Sequence, residues 1–286
     1  MKQSELLKKN IITTLIIASI SIGVCCAILG DSLKLLTEHY ETSFFLLIKK
    51  RPTLFLLFPA IGLSVIYFLR QSVFKRKENK GIKEIYDSLK TRHNELPIYK
   101  IPSHFINGLL TVAFGGSTGI EVATVVASAS IGSVTQNKAK IHYIFRRELI
   151  CAGVAAGVTA LFNSPIAGTL FALEVIAQRF SKTLFLSVVL SSLTVWIFNL
   201  FLSPEPLFHF TINHWNYSAF PYFIILGIIA GFNALFLTKS VLYFKSKFSS
   251  IKKNSVKIIA GSLLIGIFAM LLPQLYGDGY QAIRTF

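Results

Sequence analysis

A run of twenty residues without a charged side chain, Ile11 to Gly30, follows directly on a basic stretch carrying Lys2, Lys8 and Lys9. As a helix rising about 1.5 Å per residue, such a run crosses the roughly 30 Å of hydrocarbon in a bilayer. A secretory signal is the competing reading, but the run is long, no A-x-A site closes it and further apolar runs follow it. These are Pro52–Leu69, the interrupted stretch Ile101–Asn137, Leu149–Ala177, Thr183–Ser203, Ser218–Thr238 and Ile258–Pro273. Several are too long or too broken to be one simple span. An all-α, polytopic membrane protein follows, with residues 1–10 as a cytoplasmic N-terminus and 11–286 as a single transmembrane domain.

Composition agrees. Only 15% of the 286 residues are charged and 53% are hydrophobic, whereas soluble domains carry roughly a quarter charged residues. The formal charge of +16 would suit nucleic acid, but the cations fall in short clusters between apolar runs, at Arg70–Lys83, Lys138–Arg147 and Lys239–Lys257. That is how cytoplasmic loops of a membrane protein look, so nucleic acid is set aside as a partner. The same rule puts the N-terminus inside, and leaves Lys49, Lys50 and Arg51 on the wrong side under simple alternation unless a segment is re-entrant. Cys25, Cys26 and Cys151 lie inside apolar runs with no CxxC spacing, so neither a disulfide framework nor a metal site is expected, and no cofactor.

Lipid tolerates non-helical backbone only where protein buries it or a watery cavity borders it, so a membrane segment broken by clustered glycines marks a site. Gly115-Gly116-Ser117-Thr118-Gly119-Ile120-Glu121 is such a break. Glu121 lies near the middle of its segment, where a charge costs about 2.5–3.5 kcal/mol and is by default functional. The preceding glycines predict a helix start there, with free backbone N–H groups and the positive end of the dipole facing the carboxylate. Such an end stabilises an anion by roughly 0.3–2 kcal/mol, and a small anion could use the same amides whenever the carboxylate moves away. Gly115-x-Ser117-x-Gly119 also spells a hydrolase nucleophile elbow, but an elbow needs a preceding strand and an oriented histidine, and the flanks read as helix; no catalytic residue is assigned. Gly115 and Gly119 could alternatively form a helix-contact surface. A second break is Asn163-Ser164-Pro165, which divides Leu149–Ala177 into two helices, with Gly153 and Gly157 at helix-contact spacing. Glu174, alone, reads as an interfacial charge.

Phe114-Gly-Gly-Ser-Thr-Gly-Ile-Glu121 and Ala160-Leu-Phe-Asn163-Ser-Pro165-Ile-Ala-Gly168-Thr-Leu-Phe171-Ala-Leu-Glu174 resemble the CLC family of chloride channels and proton–chloride antiporters. Asn79-Lys80-Gly81-Ile82-Lys83-Glu84-Ile85 is similar to that family's G-S-G-I-P-E-I anion-filter loop. The resemblance implies a CLC-type bundle of broken and re-entrant helices that moves chloride or a similar small anion, with no enzymatic step. It makes Glu121 the gate and gives anion binding to Gly119, Ile120 and Val122 and to Lys80, Gly81 and Ile82. The family's G-[RK]-E-G-P is Gly119-Ile120-Glu121-Val122-Ala123 here, so a nearby positive charge is lost, and lysines replace the filter serine and proline. The inner proton-carrying glutamate of the antiporters corresponds to Val175, which favours a channel-like or uncoupled carrier unless Glu174 substitutes. A homodimer through helices around Phe171–Gln178 and Val188–Phe198, and a bacterial inner membrane, complete what the resemblance suggests.

Lys80-Gly81-Ile82-Lys83-Glu84-Ile85 compares with Asp278-Gly279-Tyr280-Gln281-Ala282-Ile283, 198 residues on, as expected of an inverted repeat. The first half is then about 11–180 and the second begins at about 218–286. At that offset the counterpart of Glu121 falls near position 319, beyond Phe286, so the repeat is expected to be incomplete; the resemblance to the CLC family then implies that the second broken helix and the later tyrosine of that family's anion path are lacking.

Overall fold

The computed structural model describes residues 2–77, 79–90, 95–202, 216–280 and 283, with the side chains of 2–10 left aside. Ten helices order these residues: α1 Lys2–Lys50, α2 Leu54–Ser72, α3 Ile82–Lys90, α4 Lys100–Ala113, α5 Glu121–Lys138, α6 Arg146–Phe162, α7 Pro165–Phe171, α8 Lys182–Leu202, α9 Phe220–Ser249 and α10 Asn254–Leu271. Among the described residues five segments are long and apolar enough to cross a membrane: Ile11–Lys50 of α1, Leu54–Ser72, Lys182–Leu202, Tyr217–Ser249 and Asn254–Leu271.

The apolar run that opens the chain is part of a much longer helix. α1 is continuous with residues 2–10 and passes Gly30 without a break, carrying Asp31, Lys34, Glu38 and Glu41 before ending at Lys50. Its 40 residues from Ile11 would measure about 60 Å, twice the hydrocarbon thickness. It therefore supplies packing surface well beyond one crossing.

Both expected breaks are present. α4 stops at Ala113, seven residues follow without helix, and α5 starts at Glu121. Gly115 has φ +85°, a left-handed conformation that a side chain disfavours, and the Tyr276 ring lies where its Cβ would point. Gly115 and Gly119 thus belong to the loop, and their reading as a helix-contact surface is corrected: with no helix there, they cannot be stacked a turn apart. The segment that leads into this loop is the helix α4, and no strand occurs among the described residues, so the elbow reading loses its support. At the second break Asn163 takes φ 51°, Ser164 caps α7 by accepting from the Ala167 amide (3.4 Å), and Pro165 occupies the first turn.

The bundle is centred on α6, where every residue from Leu149 to Leu161 is buried. An unpatterned small and apolar helix has no polar face to offer solvent, so it is enclosed on all sides. α5 meets it through small residues: a Cβ on Gly153 would fall on the Ser128 carbonyl, and one on Gly132 on the Leu149 carbonyl. These reciprocal glycines let the two backbones touch, the main source of cohesion between helices when lipid removes the hydrophobic drive. α1 and α8 close the other sides, with Ile22, Cys26, Leu149, Ala156 and Val195 in one buried cluster. α10 rests on α2, with Gly266 against the backbone of Phe55 and Leu56. α9 has no buried residue along its 30 positions.

Candidate functional site

Three chain breaks converge at the start of α5. Glu121 turns back so that its carboxylate occupies the space where a Cβ of Gly119 would stand; any side chain at position 119 would expel it. Gly81, with φ +65°, opens α3 and approaches α5 so closely that a Cβ would lie 3.4 Å from Val122 Cγ1. From the far end of the chain, the Tyr280 hydroxyl donates to Glu121 Oε1 at 2.6 Å. Gly279, just before it, also takes a left-handed φ, +84°. Gly81 and Gly279, matched in sequence as repeat counterparts, therefore share a backbone conformation, and their two loops flank one helix terminus. Of the matched segment, Gln281 and Ala282 lie outside the described residues.

The loop bearing Tyr280 is held in place by its neighbours. The Tyr276 hydroxyl donates to the Ala113 carbonyl (2.8 Å), and its ring packs with Phe45 and Phe55. Glu41 of α1 lies against Gly277, and Asp278 Oδ1 accepts the Tyr280 amide (3.0 Å).

A cavity of about 800 Å³ runs along this junction, lined by Gly81, Gly119, Glu121 and Val122 together with Arg70, Lys77, Asn79, His104, Asn107 and Thr111. Four of the residues expected at an anion site are thus brought together. The others are placed differently. Lys80 donates its amide to the Glu84 carboxylate, and its side chain lines a neighbouring pocket of about 540 Å³. Ile82 packs against the main core cluster, and Ile120 is buried with Leu33, Val112 and Leu161. The amide at position 80 is engaged by a side chain of the following helix, because Glu84, the third residue of α3, caps the helix start.

Sequence reasoning missed the polar cluster behind the loop. Glu84, Lys100 and His104 are 8%, 5% and 5% exposed. Lys100 Nζ lies 2.9 Å from Glu84 Oε2 and donates to Asn79 Oδ1 (3.2 Å), and Asn79 donates to Ser103 Oγ (2.9 Å). His104 Nε2 stands 3.9 Å from the same Glu84 oxygen. The cluster anchors Asn79, hence the loop carrying Gly81, to α4. The signal was present as the i, i+4 spacing of Lys100 and His104, but nothing in the sequence paired them with Glu84. Removing one partner strands a buried charge, which costs about 3–5 kcal/mol. Lys100→Met is accordingly expected to lower the melting temperature of the detergent-solubilised protein sharply, and Glu84→Gln combined with it to recover most of the loss; an unchanged melt in the single variant would deny the pair its anchoring role.

The inner position differs from the gate. Val175 packs against the main core, while Glu174 is exposed in a π-helical turn, Ala172–Ile176, that continues α7. The Tyr86 hydroxyl donates to the Val175 carbonyl at 2.5 Å, a carbonyl that the widened turn leaves available.

Against known proteins, residues 61–286 match the family described as voltage gated chloride channel. Among curated relatives, an H(+)/Cl(-) exchange transporter ClcA from Salmonella arizonae is 28% identical over 80% of this chain and 52% of its own length. The one from Salmonella paratyphi B is 29% identical over the same shares. The chain thus spans about half the length of the curated relatives it matches. Among solved structures, a CLC-type fluoride/proton antiporter superposes with a TM-score of 0.78 at 24% identity, covering 96% of this chain and 69% of that one. A slow cyanobacterial Cl-/H+ antiporter gives a TM-score of 0.79 at 20% identity, over 94% and 67%. The shared fold is the all-helical membrane bundle, partial relative to those structures.

Proposed function

The chain belongs to the voltage gated chloride channel family and is an integral membrane protein, and we propose that it moves chloride or a similar small anion along a path gated by Glu121. The observation that carries this reading is the folded-back Glu121 carboxylate at the start of α5, in a cavity shared with Gly81 and Gly119. A helix N-terminus offers unpaired N–H groups and the positive end of the dipole. Arg70 and Lys77 on the cavity wall add cationic character, which draws anions inward in a confined space. The carboxylate and a chloride ion compete for one electropositive place, so passage requires that the carboxylate leave or take a proton. Anion binding is assigned to Gly119 and Ile120 just before α5 and Val122 in its first turn, and to Gly81 and Ile82 at the start of α3. Lys80 contributes charge to the adjoining pocket more than it does an amide.

The transport mode we favour is channel-like and not coupled to protons. Val175 cannot carry a proton, and Glu174, the residue that could replace it, is exposed outside the core. The relatives named above as exchangers keep antiport as the second reading. Coupling is tested by loading liposomes with chloride, imposing an outward gradient and recording external pH: anion loss without protein-dependent proton movement is expected, and proton uphill movement driven by the gradient would establish antiport. We further take the protein to lie in a bacterial inner membrane, N-terminus inside, and to dimerise through the exposed apolar side chains Ile166, Leu170, Leu193 and Ile197 of α7 and α8.

A further inference from the structure

We propose that Tyr280 is the latch of the gate: its hydroxyl holds the Glu121 carboxylate in the folded-back position over Gly119. The inference rests on the gating reading of Glu121 and deepens it, because it names what keeps the gate shut. The contact is a phenol donating to Oε1 at 2.6 Å, the short range of hydrogen bonds to charged acceptors. Tyr280 is placed for this by three features that have no other evident purpose at the gate. Tyr276 is buried and tied to the end of α4 through the Ala113 carbonyl, Gly277 and Gly279 turn the chain through left-handed conformations, and Asp278 caps the Tyr280 amide. The loop thus brackets the seven-residue break, tied to the end of α4 through Tyr276 and to the start of α5 through the phenol.

A latch of this kind makes the gate respond to the loop. With Glu121 ionised, the phenol is held by a strong acceptor; once the carboxylate takes a proton it becomes a weaker acceptor and is released. Tyr280 neither binds the anion nor carries a proton in this scheme. It is a positioning residue acting through Glu121.

Tyr280→Phe keeps the ring and removes only the hydroxyl. Infrared difference spectra between the unmodified chain and Glu121→Gln isolate the Glu121 carboxyl bands, and Tyr280→Phe is expected to shift them. In liposomes, Tyr280→Phe is expected to raise chloride flux about tenfold at neutral pH, the ratio one charged hydrogen bond carries. This flux effect is expected to vanish in the Glu121→Ala background. Unshifted carboxyl bands would overturn the contact. Faster flux in Glu121→Ala with no change in Tyr280→Phe would overturn the latch while leaving the gate intact. If flux is insensitive to Glu121 itself, the gating reading fails, and the infrared shift still decides whether the phenol holds the carboxylate.

Discussion

Replacing Glu121 with alanine is expected to raise chloride flux about ten- to a hundredfold at neutral pH and to flatten its dependence on pH. The carboxylate fills the space above Gly119 and accepts a hydrogen bond from Tyr280; a hydrogen bond to a charged group contributes about 1.5–3 kcal/mol, which corresponds to that range of ratios. Removing the side chain vacates the place for which the anion competes. In the unmodified chain, acidification protonates the carboxylate, weakens its hold on the helix terminus and the phenol, and raises flux. With alanine this titration is gone. His104 lines the same cavity and lies 3.9 Å from Glu84, which is paired with Lys100 outside it. Radioactive chloride efflux between acid and alkaline pH reads the effect. An alanine variant as steeply pH-dependent as the parent would remove Glu121 from the gate.

Gly153→Leu is expected to leave almost no folded protein. A Cβ at 153 would meet the Ser128 carbonyl and the Ala129 Cα on α5, both backbone atoms that cannot swing aside as a side chain can. Overpacking a well-filled interior costs about 1–3 kcal/mol for added methylenes with room to adjust. Here α5 and α6 must be pushed apart, undoing the contact that joins the gate helix to the centre of the bundle. Since domains are stable by only about 5–15 kcal/mol, a leucine should consume most of the margin and alanine a part of it. Gly227→Leu on α9, where nothing lies within 4 Å of the added Cβ, is the control and should be tolerated. Detergent extraction followed by fluorescence size-exclusion chromatography distinguishes the variants; a monodisperse Gly153→Leu peak of normal height would show that the helices are not in backbone contact.

Much of this arrangement is legible in the residues. Clustered glycines before a lone membrane carboxylate marked the break and the first residue of α5, because few other sequences tolerate both an irregular backbone and a charge at that depth. Asn163-Ser164-Pro165 marked the second break by the same local logic, one residue each for the left-handed turn, the cap and the helix start. Local rules failed where a partner lies far along the chain. Tyr280 is 159 positions from Glu121, and nothing in its own neighbourhood identifies it as a donor to the gate. Lys80 was read from its place in a motif, yet Glu84 four residues later takes its amide. The extension of α1 beyond Gly30 was missed because charged residues there read as a span's end, whereas Glu41 is buried against the Gly277 loop. The pairing of Gly81 with Gly279 rested on a short match in sequence and gains weight from their common left-handed φ, 65° and 84°.

The central claim is that the elements gathered around Glu121 form an anion path. Its most direct test is chloride efflux from liposomes containing the purified 286-residue chain, with folding and insertion checked on the same sample, against protein-free vesicles and the Glu121→Gln variant. Efflux above the protein-free rate is expected, and faster efflux with glutamine. Correctly inserted protein that releases chloride no faster than empty vesicles, with or without the substitution, would contradict it.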